Sequence, residues 1–209
     1  MRLFVFVSVF MLGTAALATA QGLEFGAKAG PAFATLRFDP DEEDLPHRRR
    51  ISADGGGFLV LPLGGSVGLQ LEGLFTSRGA TANAVENEEV TSKILLQYFE
   101  LPALLRVNGP RVGSGSIYFF GGPYLAIRLS AKREFSVFIN GQTTGTREDM
   151  SDEVEWLDAG VTFGAGVMVN RWIVIDGRYS HALKKLNSDT AAGFGIWNRA
   201  ITFMAGVRF

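Results

Sequence analysis

Apolar side chains alternate with small or polar ones, position by position, through almost every patterned stretch of this chain. From Ala159 to Val169 the odd positions are all apolar, while the even ones are Gly, Thr or Met. Ile201, Phe203, Ala205, Val207 and Phe209 likewise face Thr202, Met204, Gly206 and Arg208, and Ser66 to Gly73 repeats the pattern. A period of two is the spacing of a strand whose two faces meet different surroundings, since successive side chains point to opposite sides. A helix would repeat every 3.6 residues. The chain therefore reads as all-β.

Segments of this kind fall near 22–37, 51–63, 65–78, 92–107, 115–131, 154–169, 171–183 and 198–209. The joints between them alternate in length. Leu63-Gly64-Gly65, Asn108 to Ser114 and Asn170-Arg171 have the Gly and Asn of tight turns. By contrast 38–50, 79–91, 132–153 and 184–197 are long and polar, with charge runs at Asp41-Glu42-Glu43-Asp44 and His47-Arg48-Arg49-Arg50. Short turns at one end, long loops at the other and both termini on the short side predict an eight-stranded antiparallel up-and-down transmembrane β-barrel. Its short turns would be periplasmic and its long loops extracellular. We expect a monomer.

The N-terminus supports export. Met1-Arg2 is a small basic head, Leu3 to Leu12 an apolar run, and Ala18-Thr19-Ala20 a small-residue cleavage pattern. Residues 1–20 are expected to be a signal peptide and 21–209 the barrel domain, placed in the cell outer membrane. No later run approaches the roughly 18 apolar residues of a helical span. There is no Cys, so neither disulfides nor a lipid-anchored cysteine is expected. With 20 Lys+Arg against 21 Asp+Glu, the chain lacks the basic field that recruits nucleic acid.

In a membrane barrel the apolar face turns to lipid and the polar face to the lumen. The polar-face charges are Glu24, Lys28, Glu72, Glu100, Arg106, Arg128, Asp158, Asp176 and Arg178. They alternate with Phe25, Leu71, Phe99, Leu101, Ile127, Val161, Ile175 and Tyr179. An eight-stranded lumen is narrow enough for side chains to fill it, so these charges are expected to pair in an internal network, Glu100 with an arginine such as Arg106 or Arg128. Phe119, Phe120, Tyr124, Trp156, Trp172, Tyr179, Trp197, Phe203 and Phe209 are expected largely near strand ends, in interfacial girdles. Tyr98, Glu100 and Pro102 share one face. Pro102, Pro31 and Pro123 cannot donate to a ladder and are expected to mark bulges.

Little points to chemistry. Ser180 and His181 are adjacent, which places them on opposite faces and out of reach as nucleophile and base. His47, with one other His and no Cys in the chain, does not make a metal site of the His/Cys type. Asp41 to Asp44 could bind a divalent ion or bridge lipopolysaccharide, but reads better as a solvated loop. Gly55-Gly56-Gly57 and Gly113 to Gly115 lack the Lys-Ser/Thr of a phosphate loop. No catalytic residue, cofactor or metal is expected.

The complete amphipathic strand ending in Phe209, with Phe203 on the same face, resembles the C-terminal signal read by the barrel assembly machinery. Five further stretches resemble the PorT-type outer-membrane β-barrel family. They are Phe25-Gly26-Ala27-Lys28-Ala29-Gly30, Leu69-Gln70-Leu71-Glu72-Gly73-Leu74-Phe75-Thr76-Ser77-Arg78-Gly79, Tyr98-Phe99-Glu100-Leu101-Pro102-Ala103-Leu104-Leu105, Gly121-Gly122-Pro123-Tyr124-Leu125 and Asp176-Gly177-Arg178-Tyr179-Ser180. The resemblance covers almost the whole mature chain and implies the fold more strongly than the job, because the best-known member supports type IX protein secretion while most relatives have no assigned role. The expected function is a structural or interaction role in the envelope. Partners would be outer-membrane lipid and an envelope or extracellular protein met through the loops. The alternatives are a secretion accessory, a narrow passive channel and, least, a lipid-modifying enzyme.

Overall fold

The computed structural model describes residues 22–39, 47–84, 90–113, 115–139, 142–152, 154–186 and 195–209. The expected signal segment and the Asp41 to Asp44 run lie outside them.

The strands are β1 (Glu24–Asp39), β2 (His47–Gly64), β3 (Val67–Arg78), β4 (Ala80–Ala84), β5 (Val90–Val112), β6 (Gly115–Ile139), β7 (Gln142–Asp149), β8 (Leu157–Met168), β9 (Ile173–Ala182) and β10 (Gly195–Arg208). Eight of them close a ring in the order β1, β2, β3, β5, β6, β8, β9, β10 and back to β1, every pair antiparallel. The seam is made by the two ends of the barrel domain. Phe25 N–H donates to the Phe209 carbonyl at 3.2 Å, and Phe209 N–H returns a bond to the Phe25 carbonyl at 2.7 Å.

The other two strands extend this ring. β4 continues the line of β3 beyond Gly79 and pairs with β2 and β5. Gly79 has φ +121°, and a side chain there would collide with the Ile94 carbonyl, so only glycine lets the strand bend and resume. β7 returns antiparallel along β6, from Ile139 opposite Gln142 to Lys132 opposite Asp149. β5 flanks the far side of the same stretch of β6 as far as Val90 opposite Val137. The segment 132–153, expected to be a long loop, is therefore largely a hairpin.

Two further expectations are corrected. The turn placed over Asn108 to Ser114 is shorter, because the ladder runs to Val112 opposite Gly115 and Gly113 turns with φ +63°. Pro31, Pro102 and Pro123 do not mark bulges. Each sits where one ladder skips two pairs and resumes in unchanged register, as between Ala29–Ala205 and Ala32–Thr202 for Pro31. The missing N–H interrupts the pairing without inserting a residue. Register shifts fall elsewhere, at Gln97/Tyr98, at Asn108/Arg111 and at Pro62/Gly64.

The alternation resolves into two faces. Phe119, Leu125, Phe163, Ile175, Phe203 and Val207 are exposed outward, and their neighbours Tyr118, Phe120, Tyr124, Thr162, Asp176 and Thr202 are buried inside. Phe120 and Tyr124 thus belong to the lumen and not to an interfacial girdle. Trp172 packs on Phe209 at 5.9 Å, and Phe209 on Phe25 at 5.8 Å, at the short-turn rim. Among the described residues no helix is long and apolar enough to cross a membrane; the crossing is made by strands.

Candidate functional site

The inward positions of neighbouring strands converge on the barrel axis, and the sequence puts charge at many of them. Lys28 of β1 donates to Glu72 of β3 at 2.7 Å and to Asp176 of β9 at 2.8 Å. Arg178, two residues along β9, reaches Glu72 Oε2 at 2.6 Å and Asp176 Oδ1 at 3.1 Å. Two cations and two carboxylates thus form a closed and neutral square, with side chains at most 2% exposed. Phe120 lies beneath it, its ring centre 5.0 Å from the Arg178 guanidinium and 5.9 Å from Lys28 Nζ.

A second cluster adjoins the first. Arg78 donates to Asp54 at 2.7 Å and to Glu100 at 2.9 Å. Asp54 also takes the Ser77 N–H at 2.9 Å and the Thr202 hydroxyl at 3.3 Å. Glu100 is therefore held by Arg78, not by Arg106 or Arg128. Arg78 was legible, since it closes the strand expected over 65–78 and shares the parity of Glu72 on β3. Asp54 was hidden by the three glycines that follow it.

The remaining expected residues spread toward the two ends. Near the periplasmic turns Glu24 forms ion pairs with Arg208 at 2.8 Å and, more loosely, with Arg106 at 3.8 Å. Arg106 donates to Gln70 and Asn108 and lies 4.1 Å over the Tyr118 ring. Near the loops Asp158 accepts from the Asn198 amide at 2.9 Å. Among the described residues Arg128 joins no carboxylate. It donates to the carbonyls of Ser151 and Val154 and so pins the β7–β8 connection.

Apolar clusters cover the charges at both ends. Phe58, Val60, Leu104, Tyr118, Phe120, Met168 and Val174 pack together on the turn side. On the loop side Leu36, Leu96, Tyr98 and Tyr124 pack with Met150, Val154 and Leu186 from the connections. The interior is a packed core with a charged belt across its middle. Such ion pairs cost several kcal/mol per charge in desolvation, which close pairing offsets.

Ser180 and His181 do not meet. Ser180 points inward to Thr162 at 2.8 Å, while His181 points outward and accepts from Arg199 Nε at 3.2 Å. Among the described residues no group of three His, Asp or Glu could hold a metal ion.

A family model of the outer membrane protein beta-barrel domain matches residues 19–188, most of the chain. The chain belongs to that family. No curated protein matches it. Solved barrels of similar fold include Ail, the attachment invasion locus protein of Yersinia pestis, at 16% identity, 89% of this chain, 98% of that chain and a TM-score of 0.43. OprG from Pseudomonas aeruginosa follows at 10% identity, 89% and 95% coverage and a TM-score of 0.42. The protease OmpT from Escherichia coli is similar at 12% identity, 91% and 97% coverage and a TM-score of 0.38. As a member of the family, this outer membrane beta-barrel protein resides in the outer membrane, so its exposed apolar face is its lipid contact and its long connections face outside.

Proposed function

We propose that this barrel is a closed, monomeric envelope protein that works through its extracellular surface as a structural or interaction component, without catalysis. The observation that carries the reading is the contrast between a filled lumen and the sheet that stands beyond it. The belt of ion pairs between two apolar clusters leaves the interior to side chains. Above the ring, β6 and β7 extend outward, and among the described residues β7 pairs with β6 alone. Its residues Thr144 to Asp149 are all exposed. A bare edge of this kind offers backbone N–H and C=O groups to an added strand, which suits a protein partner.

The test is planar-bilayer recording on barrel whose unheated gel mobility is faster than its boiled mobility, the sign of a folded membrane barrel. Silence supports the reading, and discrete conductance steps would replace it with a narrow channel. A second reading is a secretion accessory of the PorT type, favoured by the five stretches from Phe25 to Ser180 quoted above; there, deletion leaves cargo in the periplasm. Residues 1–20 serve in either case as the export signal. Phe203 and Phe209 serve as the C-terminal assembly signal, a role supported by the outward side chains of both and by the place of Phe209 on the seam.

A further inference from the structure

We propose that the loop-side rim of β8, β9, β10 and β1 binds a phosphate-bearing lipid headgroup of the outer leaflet, through Arg199 and Lys185 with His181 and Trp197 beside them. The inference uses the outward face of the barrel and does not depend on what the loops bind.

Basic residues stand at the rim on two sides of the barrel, in different company. On the β5–β6–β7 side each has an acid across the ladder: Lys132 is opposite Asp149 and Lys93 opposite Glu134, which also pairs with Arg147. Lys184 is likewise taken, by Glu155 at 2.9 Å. On the β9–β10–β1 side the cross-strand neighbours of Arg199 are Thr35 and His181. Lys185 lies over the Trp197 ring at 5.7 Å. Among the described residues neither Arg199 nor Lys185 forms an ion pair. Arg199 donates Nε–H to His181 at 3.2 Å, which orients the guanidinium and leaves its two terminal nitrogens for a bidentate oxyanion.

The surface below this patch argues for a lipid over a soluble anion. Stepping down the same outward face, Arg199 and His181 are followed by Ile201 opposite Tyr179, Phe203 opposite Gly177, and Ala205 opposite Ile175. Val161 and Phe163 of β8 flank this column on one side, and Phe33 of β1 on the other. A molecule seated at Arg199 therefore has an apolar track for acyl chains directly beneath its head. Trp197 and Tyr179 lie where amphipathic rings mark the membrane interface. Charge above and grease below, on one continuous face, fit an anionic amphiphile.

The test is native mass spectrometry of the full barrel in detergent, offered diphosphorylated lipid A, the same lipid without its phosphates, or inorganic phosphate. The phosphorylated lipid should remain bound where the dephosphorylated one does not, and equimolar inorganic phosphate should not displace it. The double variant Arg199→Ala/Lys185→Ala should weaken retention about thirty-fold, as expected for two near-surface basic contacts. Lys93→Ala/Lys132→Ala should leave it unchanged. If the first double variant loses its folded gel mobility, Lys185→Ala alone should still cost about five-fold. Equal binding of the dephosphorylated lipid, displacement by inorganic phosphate, or an equal loss in the Lys93/Lys132 variant would overturn the proposal.

Discussion

Asp176 and Asp158 sit in the same lumen, 2% and 6% exposed, in contrasting surroundings. Asp176 is gripped by Lys28 and Arg178 in the neutral belt. Asp158, among Tyr98, Tyr124 and the apolar loop-side cluster, is met by the Asn198 amide, and among the described residues its Oδ1, Asn198 Oδ1 and the Tyr98 hydroxyl have no hydrogen-bond partner. Burial is the same in both places and pairing is not. The belt holds its strands through mutually dependent charges; the loop-side half holds by packing and tolerates one carboxylate at a cost.

The sharpest way to break this comparison is Glu72→Ala, which leaves Lys28 and Arg178 to share Asp176 and so buries one uncompensated positive charge. Its urea midpoint in micelles should fall by an amount worth about 3–5 kcal/mol; a loss below 1 kcal/mol would mean that the belt is ornamental. In the loop-side half the corresponding injury is to packing. Leu96→Ala, at a site with no exposure, should cost about 2–4 kcal/mol in the same assay, and should add to Glu72→Ala if the two regions are independent. Asp158→Asn should change stability by less than about 1 kcal/mol, because it removes a buried charge that has no cation to lose. A large destabilisation by that variant would show that Asp158 is paired after all.

The smallest expected effect lies outside the membrane. Asp149 accepts from Ser151 N–H at 2.8 Å, and the hydroxyl and N–H of Ser151 hold its carboxyl below the usual aspartate range. A depressed folded value stabilises the β7–β8 connection above the unfolded value and loses that contribution as pH falls through the folded one. The protection factor of the Ser151 amide, its exchange measured against the intrinsic rate at the same pH, should accordingly fall in acid, and Asp149→Asn should remove most of that pH dependence. A protection factor that is flat with pH would detach the turn from this carboxylate.

The fold was legible wherever a strand separates two unlike media. β3, β8, β9 and β10 alternate because one face meets lipid and the other the lumen, and their positions follow from the pattern to within a few residues. The sheet beyond the membrane was not legible for the same reason. Thr144 to Asp149 of β7 have solvent around them, so Thr144, Arg147 and Glu148 carry no period and read as loop. Most inward charges were identified by parity, yet parity along one strand says nothing about partners around the ring. Arg78 reaches Glu100 and Asp54 because β3 lies between β5 and β2, a fact of ring order and stagger.

Period-two alternation and alternating joint lengths suffice by themselves to indicate a transmembrane barrel, because lipid on one face and the lumen on the other impose the alternation on every strand separately. Pairing across the lumen, the contrast between Asp176 and Asp158, and the rim where Thr35 and His181 stand opposite Arg199 were decided by tertiary structure. They depend on which residues from different strands arrive at the same height and angle, and ring closure sets this for all strands at once.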